Sequence, residues 1–282
     1  IIHAKLFNTD ISKWDVSSVI NMDHMFWHAA SFKHTLCGKT WLRSKASKSD
    51  MFVGSFGSIS REVCPTTTGF SSKAELKSAV VACLKVSSKG DCSNSPHGPI
   101  GDWDISSITN MDKIFDGASS FNGNILRWDM SSVTSMNSMF AGATAFNGDI
   151  FQWDVSSVVD MSDMFWRASL FNADLSQWDV SAVVDMSRMF SDAVSFNANI
   201  ANWDVSRVTT MSEMFSGAKS FDFDLSMWDV SNVIAMDKMF WQATSFKQEL
   251  CRAVWLYSKA SKIDMFTGSS GSISQTVYTA PI

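Results

Sequence analysis

A Trp-Asp pair recurs at Trp103, Trp128, Trp153, Trp178, Trp203 and Trp228, each 25 residues after the last, with a further copy at Trp14. Around each lies the pattern F-N-x-D-[IL]-x-x-W-D-V-S-S-V-x-x-M-x-x-M-F-x-x-A, which runs without insertion from Trp103 to Trp228. A fixed internal period of this length marks a repeat architecture and restricts the chain to folds in which copies stack. It also accounts for a skewed composition, 12 Trp, 17 Met and 21 Phe against 2 Tyr and 4 Pro, because a few positions are copied many times.

One copy divides into two physical halves. Met161, Met164, Phe165 and Ala168 fall at i, i+3, i+4 and i+7, a spacing that predicts a short helix with one apolar stripe. The same slots hold Met111, Ile114, Phe115 and Ala118, then Met211, Met214, Phe215 and Ala218. Upstream, Trp153 and Val155 alternate with Asp154, as in a short strand with one buried face, and Phe146 and Ile150 add inward groups. A unit this short cannot bury its apolar face alone and must stack on its neighbours. The expected fold class is therefore a repeat solenoid, with a short parallel strand and a short helix in each coil and a rise of about 4.8 Å per coil.

Two polar columns follow from the stacking. The carboxylates after Trp (Asp15, Asp104, Asp129, Asp154, Asp179, Asp204 and Asp229) would repel along a stack unless each had a partner. One reading has each accepting N–H groups of the following Ser-Ser and capping the helical turn. The other is a cation ladder, as in calcium-binding β-helices. Because D-V-S-S directly precedes the helical stripe, capping is favoured. Asn122, Asn147, Asn172 and Asn197 form a second column, expected as a buried or semi-buried amide ladder that pins the register.

A larger period overlies the small one. FKHTLCGKTWLRSKASKSDMFVGSFGSIS, from Phe32 to Ser60, is a near copy of FKQELCRAVWLYSKASKIDMFTGSSGSIS, from Phe246 to Ser274. The offset of 214 also relates Trp14 to Trp228. In both tails the Asn column turns to Lys, a Trp arrives late (Trp41, Trp255), and a Met-Phe pair precedes a Gly/Ser-rich end, as suits a C-terminal cap. After Cys64-Pro-Thr-Thr-Thr-Gly, a linker composition, Leu76, Ala79, Val80 and Cys83 mark one face of a helix, opened by a Ser72/Glu75 capping box. The domains read as follows: 1–63, the last repeat and cap of a preceding module; 64–70, linker; 71–102, N-terminal cap helix and loop; 103–245, six tandem repeats; and 246–282, C-terminal cap. The start at Ile1-Ile2 in mid-repeat, without a signal peptide, reads as a fragment or mature product.

Cys83 and Cys92 are spaced to close a disulfide, and Cys37 with Cys64 is the natural second pair. Cys251 matches Cys37, but Tyr278 stands where Cys64 would recur, so Cys251 is left unpaired or intermolecular. Two bridges and an odd thiol fit an oxidising compartment, the alternative being five small buried thiols. No CxxC or Cys/His cluster suggests zinc. The histidines (His3, His24, His28, His34 and His97) lie outside the constant columns. His24 and His28 have metal-ligand spacing but lack a third ligand, and their module equivalents are Lys238 and Gln242. There is no G-x-S-x-G elbow or phosphate loop, and a carboxylate copied in every coil does not behave as a catalytic one. We therefore expect no enzyme, no cofactor and no metal. A net charge of −5 gives no basic stripe for nucleic acid, and no apolar run spans a membrane.

The variable slots carry the remaining information. The position after the constant Phe holds Trp27, Asp116, Ala141, Trp166, Ser191, Ser216 and Trp241, and a second slot holds Leu126 and Phe151 where other copies have Ser. Large apolar groups at slots that tolerate Ser or Asp are expected to be partly exposed. They are candidates for an interface (Trp27, Trp166, Trp241, Phe151, Leu126) or for local packing.

IGDWDISSITNMDKIFDGASSFNGNI, residues 100 to 125, resembles the BspA-like surface-protein repeats, a 25-residue family of the mycoplasma and marine microalgal type. The likeness covers nearly the whole chain, and FSSKAELKSAVVACL, residues 70 to 84, is similar to the lead-in of algal members. The resemblance implies a leucine-rich-repeat-like solenoid at the cell surface or outside the cell, engaged in adhesion or protein contact. With the 214-residue super-repeat, it leads to the expectation of a structural module that joins other copies end to end into a filament or surface layer. The alternative is an adhesin that binds glycans or surface proteins through exposed aromatics.

Overall fold

A computed structural model describes every residue except positions 1, 8, 10, 13, 33, 61–68, 94, 96 and 277–282. The chain forms two compact units, Ile1–Thr67 and Thr68–Ile282. In the second, successive 25-residue copies lie side by side in one register, with parallel bridges running Asn110, Ser135, Asp160, Asp185, Thr210, Ala235 and Ser261.

Each coil is a run of turns, and the short helix expected at the Met-x-x-Met-Phe stripe is absent. The reason is where the backbone N–H groups go. In the coil at Met161, the N–H groups of Met161, Asp163, Phe165 and Arg167 donate to Asp185, Ser187, Met189 and Ser191 of the next coil, at 2.8–3.0 Å. Those of Met164, Trp166 and Ala168 turn back three residues to Met161, Asp163 and Phe165. A helix would send all of them to the residue four before. The chain instead alternates between its own turn and its neighbour, with Asp163 and Arg167 at φ 57° and 58° in the left-handed region. The same two positions are left-handed in the other coils, for example Lys113 with Gly117 and Glu213 with Gly217. A left-handed L-residue costs about 1–2 kcal/mol, which the inter-coil bonds offset. The expected strand at Trp153–Val155 is also absent, and the parallel bridge lies later, at Asp160.

The core is a set of stacked aromatic columns. Phe115, Phe140, Phe165, Phe190, Phe215 and Phe240 follow one another at 5.3–5.7 Å, with ring planes within 10°. Phe121, Phe146, Phe171, Phe196, Phe221 and Phe246 form a second column at 5.7–6.1 Å. Each coil joins the two columns by one contact, such as Phe165 on Phe171 at 3.8 Å. All of these rings are inaccessible to solvent.

Trp provides a directed link between coils. The indole N–H groups of Trp128, Trp153, Trp178, Trp203 and Trp228 donate to the carbonyls of Ile100, Ile125, Ile150, Leu175 and Ile200, each one coil back. For Trp103, Gly98 of the preceding loop supplies the acceptor. The late Trp of each cap fills the same role: Trp255 reaches Leu225 at 3.2 Å and Trp41 reaches Ile11 at 3.0 Å. Outside the core, the N–H groups of Asn147, Asn172 and Asn197 donate to the Oδ1 atoms of Asn122, Asn147 and Asn172 at 2.7–2.9 Å. Asp222 and Lys247 continue the series. The amide ladder is thus exposed, contrary to the expected burial. It faces outward because the Phe just before it takes the inward position.

The caps differ from the coils by having regular elements. In the first unit, β1 (Thr35–Leu36) is followed by α1 (Lys39–Arg43) and pairs in parallel with β2 (Ser58–Ile59). The second unit opens with α2 (Lys73–Val86), whose Leu76, Ala79, Val80 and Cys83 are buried. Ser72 Oγ accepts the Glu75 N–H at 3.3 Å, and the Glu75 carboxylate accepts the Ser71 N–H at 2.9 Å. Lys77 Nζ donates to the carbonyl of Ile114 at 3.0 Å, closing the first coil. Phe70, read as the last linker residue, is buried against Trp103 at 5.3 Å. The unit ends with β3 (Glu249–Leu250), α3 (Ala253–Leu256) and β4 (Ser272–Ile273), β3 and β4 pairing in parallel. Cys83 and Cys92 form a disulfide. Cys64 lies outside the described residues, and with it the expected bridge to Cys37.

Because the indole bond crosses between coils, Trp178→Phe should leave the buried Ile150 carbonyl without its donor and cost about 1–3 kcal/mol. Trp14, 50% exposed, should tolerate the same change with a much smaller loss. Urea unfolding of the two variants measures the difference.

Candidate interaction surface

The recurring carboxylates are engaged within their own coils. Asp104, Asp129, Asp154, Asp179, Asp204 and Asp229 each accept, through Oδ1, the N–H of the residue two ahead at 3.0–3.1 Å. No helix follows for them to cap, so each closes an Asx turn. Asp15 does the same with Ser17 at 2.9 Å. The Ser156 and Ser206 hydroxyls, then the backbone N–H groups, hold the Asp154 and Asp204 carboxyls below their ordinary range. Asp163 is different: burial pushes it up, against the pull of the Arg188 guanidinium at 2.9 Å. Among the described residues, no group of three or more His, Cys, Asp or Glu is placed to hold a metal ion.

His24 and His28, set aside in the sequence for lack of a third ligand, make other contacts. His28 stacks on His3 at 5.7 Å and meets Trp27 at 4.2 Å, while His24 faces Asp50 at 3.7 Å. Trp166 is half-buried beneath the Arg167 guanidinium, 4.3 Å above its ring, and Arg167 lies 3.6 Å from Asp192 in the next coil. Leu126 and Phe151 are half-buried, each donating its N–H to a preceding Asn124 or Asp149 side chain in a tight turn. Of the five aromatic and aliphatic candidates, Trp241 is the most open, at 39%.

Sequence reasoning missed a more apolar surface at the end of the second unit. Between the last coil and α3 lies an open groove of about 620 Å³, lined by Ser231, Val233, Ile234, Ala253, Val254 and Tyr257. A shallower recess of about 240 Å³ adjoins it, between Met227, Asp229, Arg252 and Val254. Ile234 and Tyr257 are each 72% exposed and Met227 is 65% exposed. The signal lay in the comparison of the two modules. Ala253, Val254 and Tyr257 replace Lys39, Thr40 and Arg43 of the first cap.

No helix among the described residues is long and apolar enough to cross a membrane. The chain belongs to the family described as Mycoplasma protein of unknown function, DUF285, whose model matches residues 2–61, 87–197 and 171–278. No curated protein and no solved structure matches it.

Two outcomes follow from the Asx turns. A carboxyl held low in the folded state adds stability above its unfolded pKa and loses it as pH falls through the folded one. Asp154→Ala with Asp204→Ala should therefore destabilise the chain by roughly 0.5–1 kcal/mol per turn at neutral pH. The gap to wild type should close as pH falls through the lowered carboxyl range in acid titrations of the unfolding midpoint. EDTA should leave the melting temperature unchanged, since each carboxylate already has donors.

Proposed function

We propose that this member of the family is a non-enzymatic structural module of an extracellular or cell-surface repeat protein, and that it associates with other copies through its capped ends. On this reading the stacked coils are a solenoid of the leucine-rich-repeat-like class, acting as a spacer whose flanks are saturated. The observation that carries it is where exposed apolar groups fall. Met227, Ile234, Trp241, Tyr257 and Ile263 cluster on the last coil and C-terminal cap, while only Val159, Leu170 and Val194 interrupt the coils before them. Exposed large apolar groups concentrated in one part of a chain mark contact sites more often than scattered ones. Ion pairs along the flanks instead join adjacent coils, as in Asp102–Arg127, Asp163–Arg188 and Asp222–Lys247. The Cys83–Cys92 bridge supports an oxidising compartment, and the carboxylate of each Trp-Asp pair is held by its own turn.

A second reading, an adhesin, is favoured by Trp166 with Arg167, the residue types that dominate interface energetics. The guanidinium already covers one ring face, which suits a protein partner better than a stacked sugar. Binding to a surface-protein array that is lost on Trp166→Ala would decide for the adhesin.

The self-association reading makes a direct prediction. Under reducing conditions, light scattering of the wild-type chain should show a mass that rises with concentration, with end-joined particles in electron micrographs. Ile234→Asp combined with Ile263→Asp should hold the chain monomeric. A wild-type chain that stays monodisperse and monomeric at high concentration would overturn the proposal.

A further inference from the structure

Three dipeptides in the coils set a side-chain carbonyl carbon beside a glycine nitrogen: Asp116-Gly117, Asn122-Gly123 and Asn147-Gly148. In such a pair the backbone nitrogen attacks the side-chain carbonyl and closes a cyclic imide, because glycine has no Cβ to crowd the approach. The reaction needs an attacking N–H that is not committed elsewhere and that water reaches. On those two grounds the structure separates the three.

The Gly117 N–H donates to the Ala141 carbonyl of the next coil at 2.7 Å, one of the bonds that hold the stack together. Gly123 and Gly148 lie in the other half of the coil, and among the described residues neither N–H donates to an acceptor. Gly123 is buried, and a methyl group added there would meet the Gly90 carbonyl oxygen at 3.2 Å and Ile100 Cγ2 at 3.3 Å. Gly148 is only half-buried, beside an exposed Asn147. The next rungs of the ladder, Asn172 and Asn197, are followed by Ala173 and Ala198 and not by glycine. Asn147 is also polarised for attack. Its Oδ1 accepts the Asn172 N–H at 2.8 Å, a donor placed to stabilise negative charge on that oxygen as the nitrogen adds. Its Nδ2, the nitrogen that leaves, makes no hydrogen bond among the described residues.

We propose that Asn147 is a self-modification site, converted with time to aspartate and isoaspartate through the Gly148 nitrogen. The nitrogen adds to Cγ of Asn147 and gives its proton to water, while Nδ2 takes up a proton and leaves as ammonia. Water then opens the imide. Breaking the bond from nitrogen to Cγ gives aspartate, and breaking the bond from nitrogen to the Asn147 main-chain carbonyl carbon gives isoaspartate. The net change is one amide and one water to one carboxylic acid and one ammonia, with no oxidant or reductant. Aspartate keeps the rung, since Asp222 already accepts the Lys247 N–H at 3.1 Å in the same column. Its charge is new, because Asp222 has the Lys247 ammonium beside it, whereas position 147 lies between the neutral Asn122 and Asn172. Isoaspartate lengthens the main chain by one carbon between Phe146 and Ile150, both fully buried, and so moves the acceptor out of line with Asn172.

The test is to hold the purified full chain in warm, mildly alkaline buffer and map its peptides by mass over time, scoring isoaspartate by enzymatic methylation. A second sample, unfolded in urea, gives the rates without the fold. In urea, Asn122 and Asn147 should convert at similar rates. In the folded chain Asn147 should convert about tenfold faster than Asn122, with Asp116, Asn172 and Asn197 unchanged. Gly148→Ala should stop the conversion and leave the fold intact, since alanine fills the matching positions 173 and 198. Equal rates at Asn122 and Asn147 in the folded chain would overturn the proposal. So would a folded Asn147 that stays intact while the unfolded one converts, or undiminished conversion in Gly148→Ala.

Discussion

Everything in the stack depends on how the backbone divides its hydrogen bonds. In the turn run of each coil, alternate N–H groups go to the coil's own turn and to the next coil. A coil in isolation would leave the second set unpaired, so no copy can be stable without the one that follows it. This makes the protein nearly one-dimensional in its energetics. The Phe columns then add burial along the same axis, and the indole N–H groups tie each coil to the carbonyl before it. Forward links and backward links together hold the spacing from both sides.

Much of the core could be read from the chain itself. The Trp, Met and Phe columns, the capping box at Ser72 and Glu75, and the matched caps all carry strong spacing signals. The helix did not survive, and the reason is physical. Met161, Met164, Phe165 and Ala168 point inward at helical spacing, but a run with left-handed residues at Asp163 and Arg167 presents the same inward set. The identities at those positions include Lys113, Arg188 and Gln242, which carry no left-handed preference. Only inter-coil bonding selects that backbone. The Asn column was misplaced because hydrogen bonding along a stack satisfies an amide equally well at the surface. The apolar groove was invisible for another reason: it is formed by α3 lying against Ser231 and Ile234, which no periodicity within the coils describes.

The two modules show what the scaffold constrains and what it leaves free. Much of the cap is kept, including the lysines that donate to paired carbonyls, Lys48 to Ser44 and Ala46, and Lys262 to Ser258 and Ala260. The surface around the cap helix is not kept. Lys39, Thr40 and Arg43 become Ala253, Val254 and Tyr257 while the parallel strand pair beside them is kept at equivalent residues. Such freedom lets one frame carry different contacts in successive modules. In the coils, Asp163–Arg188 and Arg167–Asp192 reverse sign between neighbouring left-handed columns. A slip of one coil would therefore bring unlike residues together.

The amide ladder has a direction, and it has a last rung. Every Asn in it receives the N–H of the coil after it, and Asp222 does the same for Lys247. Lys247 carries only donors, and its ammonium turns back onto Asp222 at 3.1 Å. The chain that follows turns to backbone acceptors instead, the N–H groups of Ser270 and Ser272 donating to the carbonyls of Phe246 and Gln248. The core alone contains no instruction to stop, since one Phe column can always be extended by another ring. The side-chain ladder thus ends at a residue with no acceptor to offer, and backbone carbonyls alone carry the register onward.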